Sequence, residues 1–221
     1  MRRTKSPASN LALPCAAFLI ASNCVEGATT YIAPDKNDHL GLWAYEIGCA
    51  FITSNKIEEI LFSPGQTNVE SGDEGGEIYT FTASRRLGEL EWRMADKIFH
   101  PQMEMPLTLE IVNEHSRKPF LDYNAAFMMR WIDFPWNSYV ETSLAMGVGL
   151  SYSSKVYLMD RKTHDEMDRS HLKIYWPLQI TFASPKLPEH QVILFISHQS
   201  GGHIFDVGGV NSVGFGYRHG F

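Results

Sequence analysis

The sequence contains few cysteines, and their positions limit how the folded protein can be stabilised. Three cysteines occur in 221 residues, at Cys15, Cys24 and Cys49. The first two lie in an N-terminal stretch that we expect to be removed, which leaves Cys49 as the single thiol of the mature chain. One thiol cannot form an intramolecular disulfide. The mature protein must therefore gain its stability from its fold, and a closed barrel is one such fold.

The chain also lacks a basic excess and long apolar runs. With 19 basic against 25 acidic residues, the net charge of −6 leaves no cationic surplus for nucleic acid. An apolar fraction of 44% excludes a disordered or collagen-like chain. Beyond the first residues, no apolar run reaches the roughly 18 needed for a membrane-spanning helix. A transmembrane β-barrel remains open, because its alternating strands are not strongly hydrophobic on average.

The N-terminus has the order of segments that is typical of a secretory signal peptide. Positive side chains within the first five residues precede the apolar stretch 11–21, and compact residues follow it. The sequence therefore predicts a signal peptide over 1–27 and a mature β-barrel domain over 28–221. A buried N-terminal helix, or a lipoprotein modified at Cys24, is the alternative.

The mature chain alternates between apolar and other side chains with a period of two. Between Val140 and Tyr152, every second residue except Thr142 is large and apolar, while Glu, Ser, Ala or Gly stands between them. Such alternation predicts strands with one apolar face. The alternation lasts 10 to 14 residues, whereas strands of soluble domains average about 5 to 6 residues and transmembrane strands need about 9 to 11. The lengths favour a membrane barrel.

The composition of the two faces supports the same interpretation. The less apolar face mixes small residues with charges at Glu46, Glu110, Arg130, Glu141, Lys173 and Arg218. Small and charged side chains suit the packed lumen of a narrow barrel, and the large apolar face then meets lipid. A soluble lipid-carrier barrel, which would need a large apolar interior, is a more distant alternative.

We predict an all-β fold, an eight-stranded antiparallel transmembrane β-barrel of the outer-membrane type. The predicted strands are 41–53, 75–85, 105–113, 120–132, 139–152, 171–184, 190–200 and 211–221. Residues 86–104 form a long connection that could hide a strand at 90–94, and Pro177 predicts a bulge in the sixth strand. The terminal Phe221, with alternate apolar residues before it, resembles the signal that the bacterial barrel-assembly machinery recognises.

Polar residues interrupt the apolar face at the end of the seventh predicted strand. His198 and Ser200 continue the face of Val192 and Ile196, and polar groups facing lipid are costly. A serine becomes a useful nucleophile beside a base such as histidine. Asn211 opens the next strand on the same face and could orient His198, as the third member of a Cys-His-Asn site does.

The loop that follows Ser200 adds further candidates. Asp206 is an alternative acid for orienting His198. Gly201 and Gly202 would let backbone N–H groups approach an oxyanion. The remaining histidines share no metal-ligand spacing, so we expect no metal and no cofactor.

These residues resemble those of the lipid A 3-O-deacylase (PagL-like), or acyloxyacyl hydrolase, family. The resemblance rests on the H-x-S at His198, the glycines of the next loop, Asn211 and the aromatic terminus. It implies an eight-stranded outer-membrane barrel whose Ser-His-acid triad faces the outer leaflet and hydrolyses an ester-linked acyl chain without a metal. The family often has Asn after the serine and Glu as third member, where this chain has Gly201 and Asn211.

Carried over by position, the resemblance makes Ser200 the nucleophile, His198 the general base and Asn211 the orienting residue. It implies a carboxylic ester hydrolase of the bacterial outer membrane with lipid A, lipopolysaccharide and outer-membrane lipids as partners. A non-catalytic small barrel with a structural or adhesion role is the alternative, in which His198 and Ser200 are a polar strand end at the interface.

Overall fold

The computed structural model describes residues 29–34, 41–94, 97–163 and 169–221. The predicted signal peptide, 1–27, lies outside these ranges. The strands are β1 (Thr29–Ile32), β2 (Trp43–Thr53), β3 (Gly76–Met94), β4 (Lys97–Phe99), β5 (Gln102–Glu114), β6 (Phe120–Trp131), β7 (Glu141–Ser153), β8 (Leu172–Ser184), β9 (Leu187–Ser200) and β10 (Gly209–Gly220). Two short helices, α1 (Ile57–Phe62) and α2 (Leu158–Thr163), and a 3₁₀ turn (Pro64–Gln66) complete the described elements. Neither helix is long and apolar enough to cross a membrane.

Eight of these strands close into a ring. Each pairs antiparallel with its neighbours in the order β3-β2-β10-β9-β8-β7-β6-β5, and β5 returns to pair with β3. Closure leaves no unpaired edge within the ring, so each strand has a partner on both sides. The prediction of an eight-stranded antiparallel barrel is confirmed, and the predicted strand positions match within a few residues except at the long connection.

The predicted connection 86–104 is largely strand. β3 continues to Met94 through a register shift between Arg86 and Gly88, and its extension pairs with β1 on one side and β4 on the other. The extra residue at the shift is a bulge, which bends the strand locally, and β3 still pairs with β5 at Glu89. The hidden strand that we expected at 90–94 is thus the end of β3.

Pro177 does not produce the bulge that the sequence predicted. The β7–β8 ladder pairs Met146 with Leu178 and Gly149 with Tyr175, so the register is the same on both sides of the proline. The ladder simply omits the pairs between these two positions. Because proline has no N–H to donate, an omitted pair accommodates it without an extra residue.

The two faces of the strands divide as the alternation predicted. Outward side chains such as Ile47, Leu107 and Leu150 are about half exposed, whereas the charged residues of the opposite face are buried in the lumen. Of the six predicted lumen charges, five are at least nine-tenths buried and Glu141 is half-buried. Five buried charges in the lumen fit a narrow packed barrel better than a lipid carrier with a large apolar interior.

Buried ion pairs fill the half of the lumen next to the β8–β9 turn. Arg130 donates to both oxygens of Glu104, at 2.9 and 3.1 Å, and to Gln179 Oε1 at 2.8 Å. Arg218 donates to Glu104 at 2.8 Å and also pairs with Glu46. Two carboxylates and two guanidinium groups therefore neutralise each other. Such buried charges are tolerated because they are both paired and hydrogen-bonded.

In the other half of the lumen, Asp122 is the centre of a hydrogen-bond network. Its carboxylate accepts from Ser151 Oγ at 2.8 Å, from Tyr157 OH at 2.8 Å and from Gln199 Nε2 at 2.6 Å. Tyr157 lies in the connection before α2, and burial, together with the nearby carboxylates of Asp122 and Glu110, raises its pKa well above the usual value. The phenol therefore stays protonated and closes this end of the lumen.

Candidate active site

His198 and Asn211 face each other across β9 and β10. They are directly paired in the antiparallel register, and both side chains point outward from the barrel. His198 Nδ1 lies 2.5 Å from Asn211 Oδ1. An amide oxygen only accepts, so Nδ1 carries the proton and donates it.

The orientation of the Asn211 amide is set from outside the strand pair. Asn211 Nδ2 donates to the backbone carbonyl of Asn55 at 2.8 Å. Because a carbonyl only accepts, this bond places Nδ2 toward Asn55 and Oδ1 toward His198. With Nδ1 protonated, His198 Nε2 has a free lone pair and can accept a proton. The chain from Asn55 through Asn211 therefore fixes the tautomer that a general base requires.

Ser200 lies two residues beyond His198 on the same outward face, and it is half-buried. Positions two apart along a strand are separated by about 6.8 Å, which an imidazole and a hydroxyl can bridge. Ser200 Oγ accepts from the Gly202 N–H at 3.1 Å. Within the described ranges, no direct hydrogen bond joins Ser200 to His198.

The loop after Ser200 is a tight turn with two left-handed residues. Gly202 has φ +58° and His203 has φ 60°, and Ile204 N–H donates to Gly201 O at 2.9 Å. Left-handed backbone costs little for glycine and more for other residues. The turn points the Gly202 N–H at Ser200.

The two predicted oxyanion glycines differ in what their N–H groups do. The Gly201 N–H donates to Gly208 O at 2.7 Å and is therefore used inside the loop. A Cβ at Gly201 would lie 1.9 Å from Asp206 Oδ1, which explains why this position has no side chain. The Gly202 N–H remains the donor beside Ser200.

The structure places Asp206 away from His198. Its carboxylate accepts from Lys173 Nζ at 2.5 Å, from the Ser170 N–H at 2.8 Å and from the Gly208 N–H at 3.0 Å. Burial alone would raise the pKa of Asp206, but these hydrogen bonds and the charge of Lys173 hold that pKa below its usual range. Asp206 thus anchors the turn, and the position that orients His198 is occupied by Asn211.

Three contributors were not among the predicted site residues. Trp176 is paired with His198 on β8, and its ring meets the imidazole edge-on with centroids 6.4 Å apart. Counting residue pairs along the β8–β9 hairpin could have identified Trp176 as the neighbour of His198. Lys173, a predicted lumen residue, anchors Asp206, and the Asn55 carbonyl holds Asn211; both depend on loop contacts that have no sequence signature.

The comparisons with known proteins show a likeness in fold. No family model and no curated protein matches the sequence. Among solved structures, the chain is similar to the outer membrane enzyme PagL, with a TM-score of 0.47 and 13% identity over 80% of this chain and 99% of that chain. The closed ring of strand pairs in this chain defines its fold independently of that likeness.

Proposed function

We propose that the protein is an outer-membrane esterase that hydrolyses an ester-linked acyl chain of a membrane lipid, with lipid A as the substrate. The observation that carries this proposal is the pair of His198 and Asn211 beside Ser200 on the outward face of the barrel. The half-exposed apolar side chains around the ring support a bilayer location, because a soluble surface rarely carries so continuous an apolar band.

The proposed ester hydrolysis uses the His198 tautomer that is protonated on Nδ1, because Nε2 is then free to accept a proton. Ser200 Oγ attacks the ester carbonyl while His198 Nε2 takes its proton, which gives a tetrahedral oxyanion beside the Gly202 N–H. Collapse of this intermediate breaks the ester bond, and His198 returns the proton to the leaving alcohol. Water then attacks the acyl-serine with His198 again as base, releasing a free fatty acid and regenerating Ser200. Asn211 keeps the imidazole in place throughout.

The test is a mass spectrum of lipid A from cells that produce the wild-type protein, Ser200→Ala or Ser212→Ala. Ser212 is the matched control, because it is a buried serine of β10 that points into the lumen. We expect loss of one acyl chain with the wild type and with Ser212→Ala, and no loss with Ser200→Ala. Unchanged lipid A with all three folded proteins would instead favour a non-catalytic barrel, or an ester other than the host's lipid A.

A further inference from the structure

Two carboxyl groups face each other inside the lumen without a cationic partner. Glu110 of β5 and Asp122 of β6 are directly opposed in the antiparallel register, and both are buried on the inward face. We call them the carboxyl pair. The Cα atoms of directly opposed residues lie about 4.5–5.5 Å apart, and like charges at such positions repel each other. In the described part of the chain, no lysine or arginine bonds either group. The pair therefore needs a positive charge, either a proton or a metal ion.

Other buried carboxylates of the lumen already have a positive partner. Glu104 pairs with Arg130 and Arg218, and Asp206 pairs with Lys173. These three cations are therefore engaged by carboxylates other than the carboxyl pair. The charge that balances the pair must come from another source.

Asp122 has room for one further partner. An ionised carboxylate offers about four lone-pair sites, two on each oxygen. Asp122 Oδ2 accepts from Tyr157 OH at 2.8 Å and from Gln199 Nε2 at 2.6 Å. Asp122 Oδ1 accepts from Ser151 Oγ alone, at 2.8 Å. The remaining lone pair of Asp122 is thus on Oδ1.

Three oxygens near the carboxyl pair are buried and accept no hydrogen bond from the described residues. They are Glu110 Oε2, Asn124 Oδ1 and Gln199 Oε1, and all three residues are more than nine-tenths buried. Asn124 lies within reach of the Glu110 carboxyl group, and Gln199 is bonded to Asp122. Native structures satisfy most buried acceptors. Three unsatisfied acceptors in one place therefore indicate a ligand that takes lone pairs from oxygen.

The chemistry of these oxygens favours Ca²⁺. Carboxylate and carbonyl oxygens suit hard cations rather than metals that prefer thiolate or imidazole. The two carboxylates balance a divalent charge, whereas a monovalent ion would leave one negative charge buried. Ca²⁺ tolerates irregular sets of about 6–8 oxygens, while Mg²⁺ demands near-octahedral geometry and retains several waters.

We propose that the lumen binds a Ca²⁺ ion between Glu110 and Asp122, with the amide oxygens of Asn124 and Gln199 as further ligands. No three His, Cys, Asp or Glu side chains converge on a metal position within the described ranges, so neutral oxygens must complete the set. The expectation of no metal came from the spacing of the histidines, and an oxygen site needs no histidine.

The ion would join three strands of the ring. Glu110 belongs to β5, Asp122 and Asn124 belong to β6, and Gln199 belongs to β9. Tyr157, which bonds Asp122, connects the site to the segment before α2. The ion therefore stabilises the closed end of the lumen, and this role does not depend on the proposed esterase function.

The test measures Ca²⁺ binding by the full chain, refolded in a zwitterionic detergent and freed of metal with EDTA. Titration calorimetry should show saturable binding of Ca²⁺ with a stoichiometry near one, and weaker binding of Mg²⁺. Tm should rise by about 5 °C when free Ca²⁺ exceeds Kd about a hundredfold, because a ligand that binds only the folded state stabilises it. Tb³⁺ excited through tyrosine should luminesce and be displaced by Ca²⁺, since the Tyr157 phenol lies 2.8 Å from Asp122.

Two variants locate the site. Glu110→Gln keeps the shape of the side chain but removes one charge, so Ca²⁺ affinity should fall at least about tenfold, because the charge of the ligands sets affinity. In EDTA its Tm should equal or exceed that of the wild type, since the repulsion within the carboxyl pair is gone. Asn124→Leu removes a neutral ligand and should also weaken binding. Glu141→Gln is the matched control, because Glu141 is a half-buried lumen glutamate near the β8–β9 turn, and it should bind Ca²⁺ like the wild type.

Two results would overturn the proposal. One is the absence of saturable Ca²⁺ binding by the folded wild type, in which case a proton balances the carboxyl pair. The other is equal Ca²⁺ affinity of the wild type, Glu110→Gln and Asn124→Leu, which would place the ion elsewhere. If Glu110→Gln does not fold, the wild type and Asn124→Leu still decide between these outcomes.

Discussion

Asn211 receives a hydrogen bond from His198 Nδ1 at 2.5 Å while its own amide nitrogen is held by the Asn55 carbonyl at 2.8 Å. The two bonds together leave one tautomer for the imidazole, with its lone pair on Nε2. The neutral amide of Asn211 can thus orient the imidazole as the acid of a Ser-His-acid triad does. It stabilises the imidazolium less than a carboxylate would.

Replacing Asn211 tests this orienting role. In Asn211→Leu, His198 loses its acceptor, and we expect kcat to fall about a hundredfold with KM little changed, within the range typical of general-base catalysis. In Asn211→Asp, the new carboxylate still accepts from Nδ1, so activity should stay within about tenfold of the wild type. Steady-state kinetics on a chromogenic ester provide the comparison. Equal activity of the Leu and Asp variants would contradict a role for the hydrogen bond.

Gly202→Ala tests the donor beside Ser200. The left-handed backbone at φ +58° costs a non-glycine residue about 1–2 kcal/mol, and a new Cβ would lie 2.4 Å from Ile174 Cδ1. The turn should shift and move the Gly202 N–H, lowering kcat about tenfold while the barrel remains folded. His203→Ala is the control from the same turn and should keep full activity. If Gly202→Ala had wild-type kcat, this N–H would not stabilise the oxyanion.

The Lys173–Asp206 pair predicts a dependence of stability on pH. Because the pKa of Asp206 is held below its usual range in the folded protein, its ionised form contributes stability that is fully present above the unfolded pKa of about 3.9. That contribution is lost as the pH falls through the lower pKa that Asp206 has in the folded protein. We expect Asp206→Asn to be less stable than the wild type at pH 7 and to lose less stability between pH 5 and pH 2, conditions that bracket the transition.

Thermal unfolding in detergent at several pH values measures this effect. Glu91→Gln is the control, because Glu91 belongs to an exposed pair with Arg93 at 3.1 Å on the extension of β3. Such exposed pairs contribute about 0–1 kcal/mol. Identical pH profiles for the wild type and Asp206→Asn would show that the turn does not depend on the carboxylate.

Glu104→Gln tests the lumen network. Glu104 bonds both Arg130 and Arg218, so removing its charge leaves two buried guanidinium groups with Glu46 as their remaining carboxylate. Breaking a buried pair typically costs about 3–5 kcal/mol. We expect the urea midpoint of the refolded barrel to fall accordingly, with esterase activity of the folded fraction unchanged. A loss below about 1 kcal/mol, as for an exposed pair, would contradict this assignment.

Much of the barrel could be predicted from the sequence, because the signal for a strand is local. A period of two assigns each side chain to one of two faces, and the charges at Glu46, Arg130 and Arg218 identify which face is the lumen. The same period of two places His198, Ser200 and Asn211 together on the outer face. Antiparallel pairing of consecutive strands then brings Asn211 close to His198.

Contacts made by loops could not be predicted this way. Asp206 pairs with Lys173 on β8 rather than with His198, and Lys173 also bonds Asp160 of α2 at 2.7 Å. The Gly201 N–H is taken by Gly208, and the carbonyl of Asn55 reaches Asn211 from a loop 156 residues earlier in the chain. Each depends on the path of a connection, which a local pattern does not encode.

The sequence by itself therefore determined the barrel, its two faces and the residues that share the outer one. Only the tertiary structure decided which amide orients the base, which N–H faces the serine and where α1 lies. The physical reason is that side-chain alternation is a property of neighbouring residues, whereas hydrogen bonds between loops depend on how the closed ring brings distant segments together.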